Sequence, residues 1–85
     1  MLAQQERYRN MLHQIGGNIK HYRMRRNLSQ ARLAEQVGIS ASYLSKIERG
    51  SVNSFAIITL LDIANHLKVD AKVLLECEEG ENILI

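Results

Sequence analysis

The chain has a single cysteine, Cys77, no proline, and no run of eighteen apolar residues. One thiol excludes an internal disulfide framework and cannot complete a zinc site, and it suits a reducing compartment. Without a long apolar run there is no helical membrane span to expect. The opening MLAQQERYRN lacks the basic cap and apolar stretch of a signal peptide, so a cytoplasmic location is the expectation. His13, His21 and His66 stand at no metal-ligand spacing. No glycine-rich phosphate loop follows a strand, and no nucleophile–base constellation is visible. Neither an enzyme nor a metal or cofactor site is therefore expected. Repeats and low-complexity tracts are also missing.

Acidic residues are scarce in one half. Residues 1 to 50 carry nine Lys/Arg against Glu6, Glu35 and Glu48, a net of +6, whereas residues 51 to 85 carry two lysines against six acids, a net of −4. The overall charge of +2 hides this division. A basic half is what contact with a polyanion requires. Eighty-five residues fit one small domain, whose marginal core a dimer interface would support.

What is present is concentrated in residues 28 to 50, LSQARLAEQVGISASYLSKIERG. Leu33, Ala34 and Val37 recur at helical spacing, as do Leu44 and Ile47 with Tyr43 alongside. Ser29 and Ser40 each stand just before one of these patterns, where a hydroxyl caps a helix N-terminus. Gly38 and Gly50 follow them where a left-handed residue closes a helix. Only a short turn, with Ile39 as its buried pin, separates the two. The pattern predicts a helix-turn-helix, which presents its second helix to the DNA major groove.

On either side the reading is again all-helical. Tyr8, Met11, Leu12 and Ile15 argue a helix over residues 3 to 14, which Gly16-Gly17 interrupts. One long helix through the glycines and a separate helix hinged there are both open, and the hinge is the expectation. This extension is read either as a dimerisation arm or as packing on the domain. Residues 17 to 26 form the next helix, with Ile19, Tyr22 and Arg23 inward, and Asn27 ends it. After Gly50 comes the polar loop SVNSF, with Ser54 as the expected N-cap of a helix over residues 55 to 67. Its core candidates are Phe55, Ile58, Leu61, Ile63 or Ala64, and Leu67. Asp70 caps a short last helix, AKVLLE, that buries Val73 and Leu74. Residues 77 to 85, acidic and then apolar, form a tail whose Ile83, Leu84 and Ile85 have three open fates: an edge strand, a docked segment or a disordered end.

The string over residues 28 to 50 resembles the lambda-repressor-like, Cro/cI-type (XRE) helix-turn-helix family, whose pattern L-S-Q-x-x-L-A-x-x-x-G-I-S-x-S-Y-L-S-x-I-E-R-G it matches at every fixed position. The resemblance implies a compact five-helix domain over residues 15 to 76, with the extra N-terminal segment 1 to 14 and the short tail 77 to 85. The family often has Asn-Pro-Ser after the second motif helix, and the missing proline leaves that loop unspecified. By the resemblance, Gln30 contacts a phosphate and steadies the recognition helix, Arg49 contacts the DNA backbone, and Arg23 and Glu48 form an internal ion pair. An acid beside DNA would otherwise repel phosphate.

In such domains phosphate contacts position the protein and base contacts specify the sequence. Ser42, Ser45 and Lys46 lie opposite Leu44 and Ile47 and are the base-reading candidates; Lys46 serves a guanine edge or a phosphate equally well. Ala41 offers a methyl for a thymine methyl. Tyr43 combines a ring packed at the motif's edge with a hydroxyl for phosphate. Ser51 and Asn53 add phosphate hydrogen bonds, and Arg25 and Arg26 are either flanking contacts or surface charge. The expected function is a sequence-specific transcriptional regulator, a repressor, binding a palindromic operator in double-stranded DNA as a homodimer through helix 41–49. The rivals are an antitoxin, with a protein partner gripped by the C-terminal tail, and a restriction–modification controller.

Overall fold

A computed structural model describes residues 2 to 77, with side chains from Gln5 onward. Its described residues form five helices and no strand: α1 Leu2–Arg25, α2 Gln30–Val37, α3 Ala41–Glu48, α4 Ile57–Leu67 and α5 Ala71–Leu74. No helix among them is long and apolar enough to cross a membrane. Three of the four N-caps read from the sequence are in place. Ser29 accepts from the Arg32 amide, Ser40 from the Tyr43 amide and Asp70 from the Lys72 amide. Asn27, Gly38 and Gly50 all have positive φ, at 57°, 86° and 70°.

The expected hinge at Gly16-Gly17 is a correction. α1 runs through both glycines without a break, so residues 2 to 14 are not a separate helix but the first turns of the domain's own first helix. The two glycines also differ in kind. A Cβ at Gly16 would meet the Ile47 carbonyl oxygen and come within 2.7 Å of the Glu48 oxygen, whereas one at Gly17 would meet nothing within 4 Å. Gly16 therefore lets the backbone of α1 lie directly against the end of α3. It marks a close approach, not a flexible joint.

The core is formed by Ile19, Leu33, Ala34, Leu44, Ile47, Leu60, Ile63, Ala64, Leu67 and Leu74, with Ile15, Tyr22, Ile39, Tyr43 and Phe55 half-buried around it. Two readings of α4 fail. Ser54 does not cap it; Ala56 occupies the N-cap with no side-chain bond, because the chain stays extended until that residue. Nor do Ile58 and Leu61 face the core, which is filled by Leu60, Ile63, Ala64 and Leu67 at helical spacing. Ile57, Ile58 and Leu61 are 66%, 62% and 47% exposed, so an apolar ridge lies along the outside of α4. α5 is shorter than expected and buries Leu74, with Val73 half-buried. Asn18 on α1 donates to the carbonyls of Leu74 and Glu76 at 3.0 and 2.7 Å, which ties the end of α5 to α1. Of the C-terminal tail, Cys77 is half-buried near Met11, and residues 78 to 85 lie outside the described residues.

Candidate nucleic-acid interface

The two motif helices meet through Gly38, whose left-handed backbone turns the chain while its amide closes α2 onto the Ala34 carbonyl. Leu44 and Ile47 sink into the core, leaving the opposite face of α3 outside. Ala41, Ser42 and Lys46 on that face are exposed, and Ser45 is half-exposed. Tyr43 is half-buried and packed against the core. The first turn of α3 thus carries only a methyl and a hydroxyl outward. Lys46 is the one long cation on the helix itself.

Beneath the exposed face lies a charge network. Arg23 donates from Nε to Glu48 Oε2 at 2.7 Å and from Nη2 to Oε1 at 3.1 Å, a bidentate pair whose side chains are 10% and 1% exposed. A third guanidinium nitrogen, Nη1, donates to the Leu28 carbonyl at 2.7 Å. The sequence-expected pair is therefore present, and Gln30 joins it: its amide nitrogen donates to Glu48 Oε1 at 2.9 Å. With both carboxylate oxygens occupied, Glu48 turns its charge into the protein. The same contact fastens the start of α2 to the end of α3.

Past Glu48 the chain folds tightly. Arg49 lies back along α3, its Nη1 donating to Ser45 Oγ at 3.1 Å. Ser51 donates to the Lys46 carbonyl from its amide at 2.9 Å and from its hydroxyl at 3.2 Å. Asn53 is exposed beyond it. Of the residues singled out from sequence, the structure brings Ala41, Ser42, Ser45, Lys46 and Arg49 onto α3 and its cap, with Ser51 and Asn53 in the loop that follows. Gln30 joins them from α2. Arg25 lies over the Tyr22 ring, 5.9 Å from its centroid.

Sequence reasoning missed His13. Its Nδ1 lies 3.0 Å from the Arg49 carbonyl, an acceptor that only the Nδ1-protonated ring can serve. A Cβ on Gly50 would stand 2.5 Å from His13 Cα, so the loop after α3 is seated directly on α1. The two residues are 36 positions apart, and no local pattern connects them. The only hint was a left-handed glycine beside a polar loop.

Known proteins share this architecture. The helix-turn-helix family model matches residues 19 to 74. The HTH-type transcriptional regulator SinR of Bacillus subtilis is 39% identical over 64 residues, covering 68% of this chain and 58% of that protein. This chain spans 42 to 61% of the length of the curated relatives it matches. Among solved structures, the restriction-modification controller protein C.AhdI from Aeromonas hydrophila superposes with a TM-score of 0.74 at 27% identity, covering 79% of this chain and 96% of that one. SinR in complex with DNA superposes with a TM-score of 0.69 at 39% identity, covering 73% and 98%. The chain belongs to the helix-turn-helix family, in its lambda-repressor-like, Cro/cI (XRE) branch.

Proposed function

We propose that this protein is a sequence-specific, DNA-binding regulator of transcription, a repressor that reads a palindromic operator as a homodimer. The observation that carries the reading is the outer face of α3: Ala41, Ser42, Ser45 and Lys46 are turned outward on a basic half of the chain, while Glu48, the helix's acid, is neutralised inside by Arg23. Ser42, Ser45 and Lys46 read base edges, and Ala41 meets a thymine methyl. Gln30, Tyr43, Arg49, Ser51 and Asn53 hold phosphates and fix the register. Its setting is the cytoplasm of a prokaryotic cell, where a regulator of this kind meets the chromosome.

The homodimer is supported by the ridge of Ile57, Ile58 and Leu61, three neighbouring apolar side chains on one small domain. A single short helix reads only a few base pairs, and two copies place their helices about 34–36 Å apart on one face of the duplex. Selection of bound sequences from random DNA, with sizing of the complex, tests the reading. The expected result is a two-fold symmetric consensus with two protomers per site. Absence of any enriched sequence at moderate salt overturns it.

The likeness to C.AhdI over nearly all of that chain favours a second reading, a restriction–modification controller with the same DNA-binding chemistry. Restriction and modification genes adjoining this one would select that reading. The antitoxin reading draws on residues 76 to 85, of which 78 to 85 lie outside the described residues, and a toxin-like reading frame beside the gene would select it.

A further inference from the structure

The N-terminal turns of α1 lie outside the matched family domain, which begins at residue 19. They nonetheless form one wall of a cleft of about 560 Å³, and the other wall is the loop that follows α3. Gln5, Tyr8 and Arg9 stand on the α1 side, and Ser51 and Asn53 on the loop side. Among the described residues, no carboxylate lines the cleft. Arg9 and Asn53 are exposed, and neither their side chains nor those of Gln5 and Tyr8 make a hydrogen bond or ion pair with another described residue. Glu6, three residues before Arg9, is exposed and forms no ion pair with it. The walls are fixed to each other by the close approach of Gly50 to His13 and the hydrogen bond from His13 to the Arg49 carbonyl.

From this geometry we propose that the cleft is a phosphate-binding site for the DNA backbone, with Arg9 as its charged anchor and Gln5, Tyr8 and Asn53 as its neutral donors. Four donors that no other described residue occupies converge where no described acid opposes them, and that chemistry selects an oxyanion. The duplex follows as the source because the loop wall is continuous with α3. Ser51 is bonded to the carbonyl of Lys46, so a backbone held by the base-facing side of α3 runs on past the loop toward Arg9. The pre-set walls mean that little ordering is needed on contact. This inference rests on the DNA-binding reading and extends the footprint beyond the family domain onto α1.

Arg9→Ala, Arg9→Lys and Arg7→Ala in the full chain test it, with binding to a random-sequence duplex measured across a salt series. Arg7 lies outside the cleft and reports diffuse charge. One lost phosphate contact lowers the slope of log affinity against log salt by about 0.9. Arg9→Ala is expected to show that loss with an unchanged melting temperature, while Arg9→Lys and Arg7→Ala keep the wild-type slope. A wild-type slope in Arg9→Ala, or an equal fall in Arg7→Ala, overturns the cleft and leaves the DNA reading intact. If the wild type itself shows no salt-dependent affinity for duplex DNA, the DNA reading fails and the cleft fails with it. Inorganic phosphate distinguishes the other source of the same chemistry. Saturable shifts of the Arg9 and Asn53 side-chain NMR signals with phosphate, alongside an unchanged DNA slope in Arg9→Ala, would make this a free-anion site and overturn the proposal.

Discussion

Gly16 and Gly17 are the same residue in the same helix, and they are expected to respond to alanine with opposite signs. At Gly17 a methyl enters open space, so only the helix preference changes, and alanine stabilises by about 0.5–1 kcal/mol. At Gly16 the methyl meets the backbone carbonyls of Ile47 and Glu48, which have no rotamer by which to yield. Gly16→Ala pushes α1 away from α3 and destabilises the fold, by about 1–3 kcal/mol if the response follows other overpacked sites. Urea denaturation of the two variants measures both signs. Sequence alone could not separate these glycines, because one letter stands both for a joint and for a close contact. Arg23 and Glu48 were legible, since an acid at the end of a DNA-facing helix needs a partner. Removing Glu48 leaves a guanidinium buried without its counter-charge, and Glu48→Ala is expected to cost about 3–5 kcal/mol. That is a large share of a small domain's stability, so the melting temperature should fall steeply; an unchanged value would contradict the pair's role.

At the scale of the helix, α3 divides its residues between two tasks that salt dependence separates. Arg49 is stretched along the helix by its bond to Ser45, and its removal is expected to weaken binding almost equally on all sequences, with the salt slope reduced by about 0.9. Lys46→Ala or Ser42→Ala should instead alter the preference among operator variants, by about 1–3 kcal/mol for each base pair affected. Binding-site selection with each variant tells the two outcomes apart. The motif itself was legible because its signals are local: Ser29 and Ser40 lie within three residues of the amides they cap, and Gly38 carries the turn in its own φ. α4 was not. The run FAIITLL offers several apolar stripes, and which one faces inward depends on where the helix starts. Without a proline or an effective Ser54 cap, the start falls at Ile57, and that choice turns Leu60 inward and Ile58 outward.

For the whole molecule, the outward ridge of α4 is the surface that would join two copies. Replacing Ile58 with glutamate puts a charge into that ridge without touching the core, because the side chain is already 62% exposed. The expected outcome is a variant with the same melting behaviour at high dilution, a shift toward monomer in sedimentation, and a loss of affinity that is larger on a two-fold operator than on a single half-site. A dimer that survives the change places the interface elsewhere. The long-range part of the fold was the least readable. His13 to Arg49 and Asn18 to Leu74 join residues 36 and 56 positions apart, where periodicity carries no information.

The unbroken course of α1 has a consequence of phase. A helix of 24 residues at 1.5 Å per residue is about 36 Å long, close to the molecule's largest extent of 38 Å. Such a helix keeps angular register from end to end, so the direction in which Arg9 points is set by the count of residues back to Gly16. One residue added between them would swing Arg9 by about 100° around the axis, whereas seven would return it to within about 20° of its bearing, displaced by roughly 10 Å. A joint at the glycines would have erased that arithmetic. In this protein the number of residues is itself an instruction about direction.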